Sequence, residues 1–247
     1  MNICFIGDSH IAAIRHGWDR LRDEYPEIAI TFFSAQRSRF AHLAVCGGTL
    51  VPQDEDLREV MRRSCNFEPV ITADYDRYVL CGLEFSTMHI VKQLGHFRSE
   101  DQASDKRAPV SSGCYLRAIA GCLRESMSMQ VARKVRAITS RPLTIFFGPR
   151  VNDENEQTIY ARLRESGDAA RVAGYFLEAA AAVCGEVDAD FIQQPPQTLS
   201  DPLQTLSVYA KDAPREFNIT PRPEGRKDYQ HMNGAYGELM LRALFVS

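Results

Sequence analysis

Short apolar runs alternate along this chain with longer segments in which apolar residues recur at helical spacing. A strand buried on both faces of a parallel sheet reads as a short continuous apolar run, whereas an amphipathic helix repeats its apolar residues every three or four positions. The alternation therefore predicts repeated strand–helix–strand units, an α/β fold and a mainly parallel sheet. The predicted strands cover residues 2–6, 29–33, 77–81, 143–147 and 188–192.

The first predicted helix follows Ser9. Ile11, Ile14, Trp18 and Leu21 recur there at helical spacing, so the helix should begin next to the end of the first strand. Further helical patterns cover residues 86–97, 115–139, about 154–184 and about 234–244. We expect the last of these helices to pack on the sheet beside the first.

Two stretches break the alternation. Residues 99–113 are polar and contain Pro, Gly and several Ser, which predicts a mobile loop or lid. Residues 193–226 are also irregular and are expected to wrap over the sheet edge toward the C-terminal segment. With 247 residues, of which 45% are hydrophobic, the chain is long enough for one domain over residues 1–247, with a lid or insert around 86–139.

Charge and cysteine content exclude several classes of partner. The 29 basic and 32 acidic residues are interspersed, so no basic face offers the footprint that a nucleic-acid binder needs. No apolar stretch approaches the roughly 20 residues that span a bilayer, and Gly7 and Asp8 interrupt the first apolar run too early for a signal peptide. The seven cysteines lack C-x-x-C or zinc-site spacing, which favours reduced thiols, a cytoplasmic location and no metal or cofactor. The sequence leaves the oligomeric state open.

Two short motifs carry the candidate chemistry. Gly7, Asp8 and Ser9 directly follow the first apolar run, and Asp228 precedes His231 by three residues near the C-terminus. A serine hydroxyl becomes an effective nucleophile when an imidazole takes its proton, and a carboxylate fixes the tautomer of that imidazole. These residues are therefore candidates for a nucleophile, a base and an orienting carboxylate. The fold would have to close a separation of more than 200 residues.

The two motifs resemble those of the SGNH/GDSL hydrolase superfamily. Its Gly-Asp-Ser motif is matched by Gly7, Asp8 and Ser9, and its Asp-x-x-His motif by Asp228 and His231. The resemblance implies a flavodoxin-like, three-layer α/β/α fold with a mainly parallel five-stranded sheet. It also implies Ser9 as nucleophile, His231 as general base and Asp228 as its orienting carboxylate. The match follows the order of the chain and is specific at its two ends.

The resemblance also implies an oxyanion hole, which this chain matches only in part. The family uses the serine amide, a glycine after the second strand and the asparagine of a Gly-x-Asn motif. Gly82 matches the last motif, but Glu84 stands where the asparagine is expected. An ionised carboxylate cannot donate a hydrogen bond, and losing one such donor costs about 10²–10³ in turnover. Either Glu84 points away, or it is protonated, or the site performs other chemistry.

Two further residues are candidates for the substrate site. Gly48 is the candidate for the glycine after the second strand. Arg150 follows the fourth strand at the end of the sheet where open α/β folds place their ligands. It is expected either to bind an anionic part of a substrate or to pair with a neighbouring acid.

The motif residues also have structural interpretations. In a purely structural alternative, Ser9 would only cap the first helix. Asp8 is expected to hold the turn and cap that helix rather than act in catalysis. His10 is the other candidate base, but a residue adjacent to Ser9 usually points elsewhere, which favours His231. In the same structural alternative, the Asp-x-x-His stretch would be a solvated segment before the last helix, and Asn233 or Gly234 would cap that helix.

Three functions remain open on this basis. The first is an esterase that hydrolyses a small acyl ester through an acyl-enzyme on Ser9, with an acetyl group on a carbohydrate suggested by family analogy. The second is an O-acyltransferase that uses the same residues. The third is a non-catalytic module of this fold that binds a glycan or a protein. Asp8-x-His10 also matches the opening element of calcineurin-like metallophosphoesterases, but the further elements that would hold two metals are absent from the sequence.

Overall fold

The computed structural model describes residues 1–214 and 228–246. Along these residues the strands are, in chain order, β1 (Asn2–Gly7), β2 (Ala29–Ser34), β3 (Leu43–Cys46), β4 (Thr49–Pro52), β5 (Arg77–Cys81), β6 (Phe97–Ser99), β7 (Ala108–Val110), β8 (Leu143–Phe146), β9 (Val151–Asn152), β10 (Asp190–Ile192), β11 (Leu199–Asp201) and β12 (Gln204–Thr205). The α-helices are α1 (Ile11–Leu21), α2 (Glu55–Cys65), α3 (Thr87–Leu94), α4 (Ser112–Glu125), α5 (Met127–Arg136), α6 (Thr158–Glu165), α7 (Ala169–Gly185) and α8 (Gly234–Phe245). None of the helices in these two ranges is long and apolar enough to cross a bilayer.

A five-stranded sheet in the order β10-β8-β5-β1-β2 forms the centre of the fold. Every neighbouring pair of its strands is parallel, and this order is the flavodoxin-like one. All five predicted strands are confirmed, with ends that differ by at most two residues. The last strand starts at Asp190 rather than at residue 188, because Asp188 adopts a left-handed conformation with φ of 51°.

The two faces of the sheet are covered by different helices, which gives the three-layer α/β/α architecture. On one face Ile3 and Phe5 of β1 pack with α1 and α8. On the other face Cys4 and Ile6 pack in a core built with α2, α4, α5 and α7. Burial on both faces explains why the strands read as continuous apolar runs. The predicted positions of α1 and α8, side by side on the sheet, are confirmed.

The helix predicted over residues 154–184 is wrong as a single element. It is divided into α6 and α7, and Gly167 between them adopts a left-handed φ of 76°. A left-handed glycine is a common helix end because it carries no side chain that would clash. Asp168, which follows, is buried, and its carboxylate accepts a hydrogen bond from the Ala103 amide at 3.1 Å.

The helical pattern over residues 115–139 is divided in the same way. Ser126 separates α4 from α5 with an extended ψ of 150°, and its hydroxyl accepts a hydrogen bond from the Met129 amide. Serine favours such N-cap positions because its oxygen satisfies a free helical amide.

The irregular stretches contain short strands that the pattern did not predict. In residues 99–113, β7 pairs with β6, and Arg107 is buried with its Nε donating to Asp105 at 2.8 Å. Whether this segment moves stays a prediction. In residues 193–214, β12 pairs with β9 and β11. The rest of the segment expected to wrap over the sheet edge, residues 215–226, lies outside the described residues.

Candidate active site

The carboxyl ends of β1, β2 and β5 open into a cavity of about 380 Å³. The chain leaves β1 toward β2 on one side and returns to β5 on the other, and open α/β sheets bind their ligands in the crevice that such a divergence leaves. The residues that line the cavity are Asp8, Ser9, His10, Gln36, Arg37, Gly82, Glu84, Phe85, Ser86, Met88, His89, Gly148, Gln230 and His231.

Ser9, His231 and Asp228 are connected by hydrogen bonds. The Ser9 Oγ lies 2.8 Å from the His231 Nε2, and the His231 Nδ1 lies 2.9 Å from the Asp228 Oδ2. The structure thus brings together the three residues predicted to share a site, which are 222 positions apart at their extremes. The alternative that Ser9 only caps α1 is wrong, because that helix receives no side-chain cap hydrogen bond.

Asp228 fixes the protonation pattern of this relay. Burial raises the pKa of its carboxyl, but hydrogen bonds from the His231 ring and from the Gln230 and His231 amides outweigh burial and hold the pKa well below its usual range. An ionised carboxylate only accepts hydrogen bonds, so the proton of His231 lies on Nδ1. The Nε2 is then an acceptor, and the Ser9 hydroxyl donates to it.

The loop that carries Asp228 and His231 is held in place from both sides. The amide of Asn152 in β9 donates to the Tyr229 carbonyl at 2.8 Å, and its side chain donates to the Asp228 carbonyl at 3.2 Å. At the other end Asn233 caps α8, as predicted, by accepting from the amides that follow it. Sequence reasoning missed Asn152, since its contact depends on how the short strand β9 lies beside the C-terminal loop.

Asp8 has a structural position. Its carboxylate accepts from the His10 amide at 3.2 Å and from the Leu83 amide at 2.9 Å, so it ties the loop after β1 to the loop after β5. This confirms the prediction that Asp8 holds the turn, but the prediction that it also caps α1 is wrong, because that helix receives no side-chain cap hydrogen bond. A Cβ on Gly82, where φ is 78°, would lie 2.2 Å from the Asp8 Oδ1, so the contact requires glycine. The role of Gly82 as an oxyanion donor stays a prediction.

Glu84 lines the cavity and forms an ion pair there. Its backbone adopts a left-handed φ of 69°, and its Oε1 lies 3.2 Å from the Nε of Arg37. This contact gives the Glu84 carboxylate a cationic partner, and the three alternatives left open by the sequence stay predictions. Sequence reasoning missed Arg37, although it is the third residue after β2 and therefore lies at the ligand-binding edge of the sheet.

Two predicted substrate-site residues lie elsewhere, and the structure corrects both predictions. Gly48 is exposed in the turn between β3 and β4, where it and Gly47 adopt left-handed conformations that suit a two-residue hairpin. Arg150 is 4% exposed and does not line the cavity. Its guanidinium lies over the Phe147 ring at 4.9 Å, and the ion pairs found among the described residues give it no acidic partner.

His10 also faces the site, which corrects the expectation that it would point elsewhere. Its ring stacks on that of His231, with centroids 5.3 Å apart and an interplanar angle of 25°. Its Nδ1 is buried and has no hydrogen-bond partner among the described residues. The sequence offers no signal for this stacking, because it depends on how far the C-terminal loop reaches over α1.

Within residues 1–214 and 228–246, no three or more His, Cys, Asp or Glu side chains are grouped so that they could bind a metal ion. Asp8 uses its carboxylate to bind backbone amides instead.

Two solved structures align with nearly the whole chain. One, from Streptococcus pneumoniae, is provisionally described as a platelet activating factor and shares 12% identity at a TM-score of 0.44, over 99% of this chain and 82% of its own. The other is the periplasmic domain of a lipopolysaccharide acetyltransferase from Salmonella ser. Paratyphi A, with 10% identity and a TM-score of 0.43 over the same shares. No protein-family model and no curated protein matches the chain. At these identities and TM-scores the likeness carries no conclusion about activity.

Proposed function

We propose that this protein is a serine esterase of SGNH/GDSL type, which hydrolyses a small acyl ester through an acyl-enzyme on Ser9. The observation that carries the proposal is the relay from Ser9 through His231 to Asp228, which opens into a cavity at the carboxyl end of the sheet. Such an arrangement of nucleophile, base and orienting carboxylate is recognised by geometry and not by sequence position.

Each group in the relay has a defined part in the reaction. The His231 Nε2 takes the Ser9 proton as Oγ attacks the ester carbonyl carbon, and the same proton passes to the alcohol oxygen when the carbon–oxygen bond of the leaving group breaks. Water then attacks the acyl-enzyme and gives a proton to Nε2, which returns it to Oγ as the acyl group leaves. Asp228 stays ionised and stabilises the imidazolium that forms in both steps.

The cavity favours a small acyl group. Its volume of about 380 Å³ is near the lower end for small-molecule sites, and much of its lining is polar. We therefore propose an acetyl or similarly short ester, with acetylated carbohydrates as the first substrates to test. The amides of Ser9 and Gly82 are the proposed oxyanion donors.

Covalent labelling with a fluorophosphonate tests the proposal. We expect mass spectrometry to find one adduct on the peptide that contains Ser9, because only a serine paired with a base reacts readily with this reagent. The adduct should be absent in Ser9→Ala and unchanged in Ser140→Ala, which alters an exposed serine outside the cavity. A wild-type protein that remains unlabelled would favour the binding module over the esterase.

The ion pair between Arg37 and Glu84 gives a second prediction. Without Arg37, the Glu84 carboxylate would stand uncompensated beside the site where negative charge develops on the substrate. We expect Arg37→Met to lower kcat for an activated ester by roughly 10- to 100-fold. Replacing the carboxylate in the same background, as Arg37→Met with Glu84→Gln, should recover most of this loss.

A matched arginine controls for the loss of a surface charge. Arg39 lies with Arg37 on a 3₁₀ segment, Arg37–His42, that follows β2. It pairs with Asp56 at 3.0 Å, but it does not line the cavity. Arg39→Met should therefore keep the wild-type kcat. A double variant as slow as Arg37→Met alone would show that Arg37 does more, or something other, than neutralise Glu84.

An O-acyltransferase is the second candidate function, because the same acyl-enzyme can pass its group to an alcohol in place of water. The observation that favours it is a second cleft of about 480 Å³ that adjoins the first at Glu84 and His89 and runs between α3 and α4. This cleft offers room for an acceptor. Adding alcohols to the hydrolysis assay and measuring ester product against free acid separates the two reactions.

A further inference from the structure

His10 contacts the histidine of the relay through its ring face. The centroids of the His10 and His231 rings are 5.3 Å apart, and their planes differ by 25°. The His10 amide donates to the Asp8 carboxylate at 3.2 Å, which fixes the backbone that carries the ring. Gly82 lies against the ring on another side. A side chain at this position would clash with the ring, since its Cβ would lie 2.8 Å from the His10 Cδ2. The ring is therefore held between the loop after β5 and the imidazole of His231.

Among the described residues, no hydrogen bond holds the His10 ring through its Nδ1. Its Nδ1 is buried and unpartnered within the part of the chain that the structure describes. Buried polar atoms are usually satisfied by hydrogen bonds, whereas the contact seen for this ring is its stacking on His231.

The charged groups around His10 come from three loops. Asp8 lies on its own loop, Asp228 and His231 on the C-terminal loop, and Arg37 on the loop after β2. Burial lowers the pKa of His10, and the like charges of His231 and Arg37 act in the same direction. The two carboxylates oppose them without cancelling the effect. His10 is therefore neutral at pH 7.

We propose that His10 is a positioning residue of the proposed esterase, which holds the plane of the His231 ring so that Nε2 faces Ser9 and leaves the forming imidazolium without a positive neighbour. This role rests on the proposed function. A proton on His10 would place two positive rings face to face, at a centroid distance of 5.3 Å. The reaction requires His231 to take a proton and become positive. A proton already on His231 removes the acceptor, and a proton on His10 opposes the new charge, so protonation of either ring stops the reaction.

Three substitutions separate the ring from its charge. His10→Phe keeps a ring that cannot take a proton and should keep kcat within about threefold of the wild type at neutral pH. His10→Ala removes the ring face and should lower kcat by about 10-fold. His10→Lys adds a permanent positive charge against His231 and should lower kcat on the order of 100-fold.

The pH profile gives the readout that a merely structural role would not move. In His10→Phe the acid limb of kcat should lie at lower pH than in the wild type, because one of the two imidazoles whose protonation stops the reaction is gone. Melting temperatures identify any variant that fails to fold. The role of His10 is overturned if His10→Ala and His10→Lys keep the wild-type kcat, or if the acid limb of His10→Phe coincides with that of the wild type.

The fluorophosphonate adduct distinguishes failure of this role from failure of the proposed function. A wild-type protein that is neither labelled nor active overturns the esterase and, with it, the role of His10. If the wild type is labelled and active but the three His10 variants share one kcat and one pH profile, the role of His10 alone is overturned.

Discussion

Replacing either Ser9 or His231 with alanine is expected to lower kcat for hydrolysis of an activated ester by roughly 10⁴- to 10⁶-fold. Ser9→Ala removes the atom that would carry the acyl group. His231→Ala leaves the hydroxyl without the acceptor that lies 2.8 Å away, and an unassisted serine is a weak nucleophile. Initial rates with a chromogenic acetyl ester, compared with the uncatalysed rate, measure both effects.

The double variant sharpens this prediction, because residues that act as a unit are not additive. Ser9→Ala combined with His231→Ala should be about as slow as either single variant, not slower by the product of the two losses. His42 supplies the control, because its Nδ1 lies 3.6 Å from an Asp54 carboxylate oxygen at an exposed position outside the cavity. His42→Ala should keep the wild-type rate. Substantial activity in Ser9→Ala would contradict the acyl-enzyme route.

Replacing Gly237 with alanine should destabilise the protein by about 3 kcal/mol or more, the upper range for overpacking a core. The backbones of α1 and α8 touch here, because a Cβ on Gly237 would lie 1.8 Å from the Ala13 carbonyl oxygen. Gly17 faces the same contact, with its Cβ position 2.3 Å from the Glu238 amide nitrogen. The helices would have to separate along their shared face, and chemical denaturation would report the change in the free energy of unfolding.

Gly174 provides the matched control for this substitution. It also lies inside a helix, α7, but apart from its chain neighbours and the backbone of its own helix, no atom of the described residues lies within 4 Å of its Cβ position. Gly174→Ala should therefore stabilise the protein by about 0.5–1 kcal/mol, because alanine loses less conformational freedom on folding. Equal effects of the two substitutions would mean that the contact between α1 and α8 relaxes without cost.

The sequence predicted the sheet well because burial on both faces leaves a continuous apolar run, as in Ile3 to Ile6 of β1. The division of the helix at Gly167 was not predictable from periodicity, since a left-handed residue changes the direction of the chain without changing the apolar pattern. Gly47 and Gly48 are the nearest glycines in sequence after the second strand, which made Gly48 a candidate. The structure shows that a 3₁₀ segment and β3 intervene and carry that glycine away from the site.

The relay was predictable for a different reason. Ser9, Asp228 and His231 lie in two short motifs, and the resemblance of these motifs to those of a known family implied that the three residues share a site. Arg37 and His10 required the structure, because their positions depend on side-chain directions that local sequence does not determine. For Arg37 the deciding contact is with Glu84, and for His10 it is with His231.

The close contact between α1 and α8 makes the site a product of tertiary assembly alone. The residues just before α1 supply the hydroxyl, and those just before α8 supply the imidazole and the carboxylate. No local segment contains both the serine and the histidine that would activate it. The serine of a partly folded chain therefore has no base until the last helix docks. Because such distant contacts form slowly, the onset of the proposed esterase activity during refolding would report the time at which α8 docks.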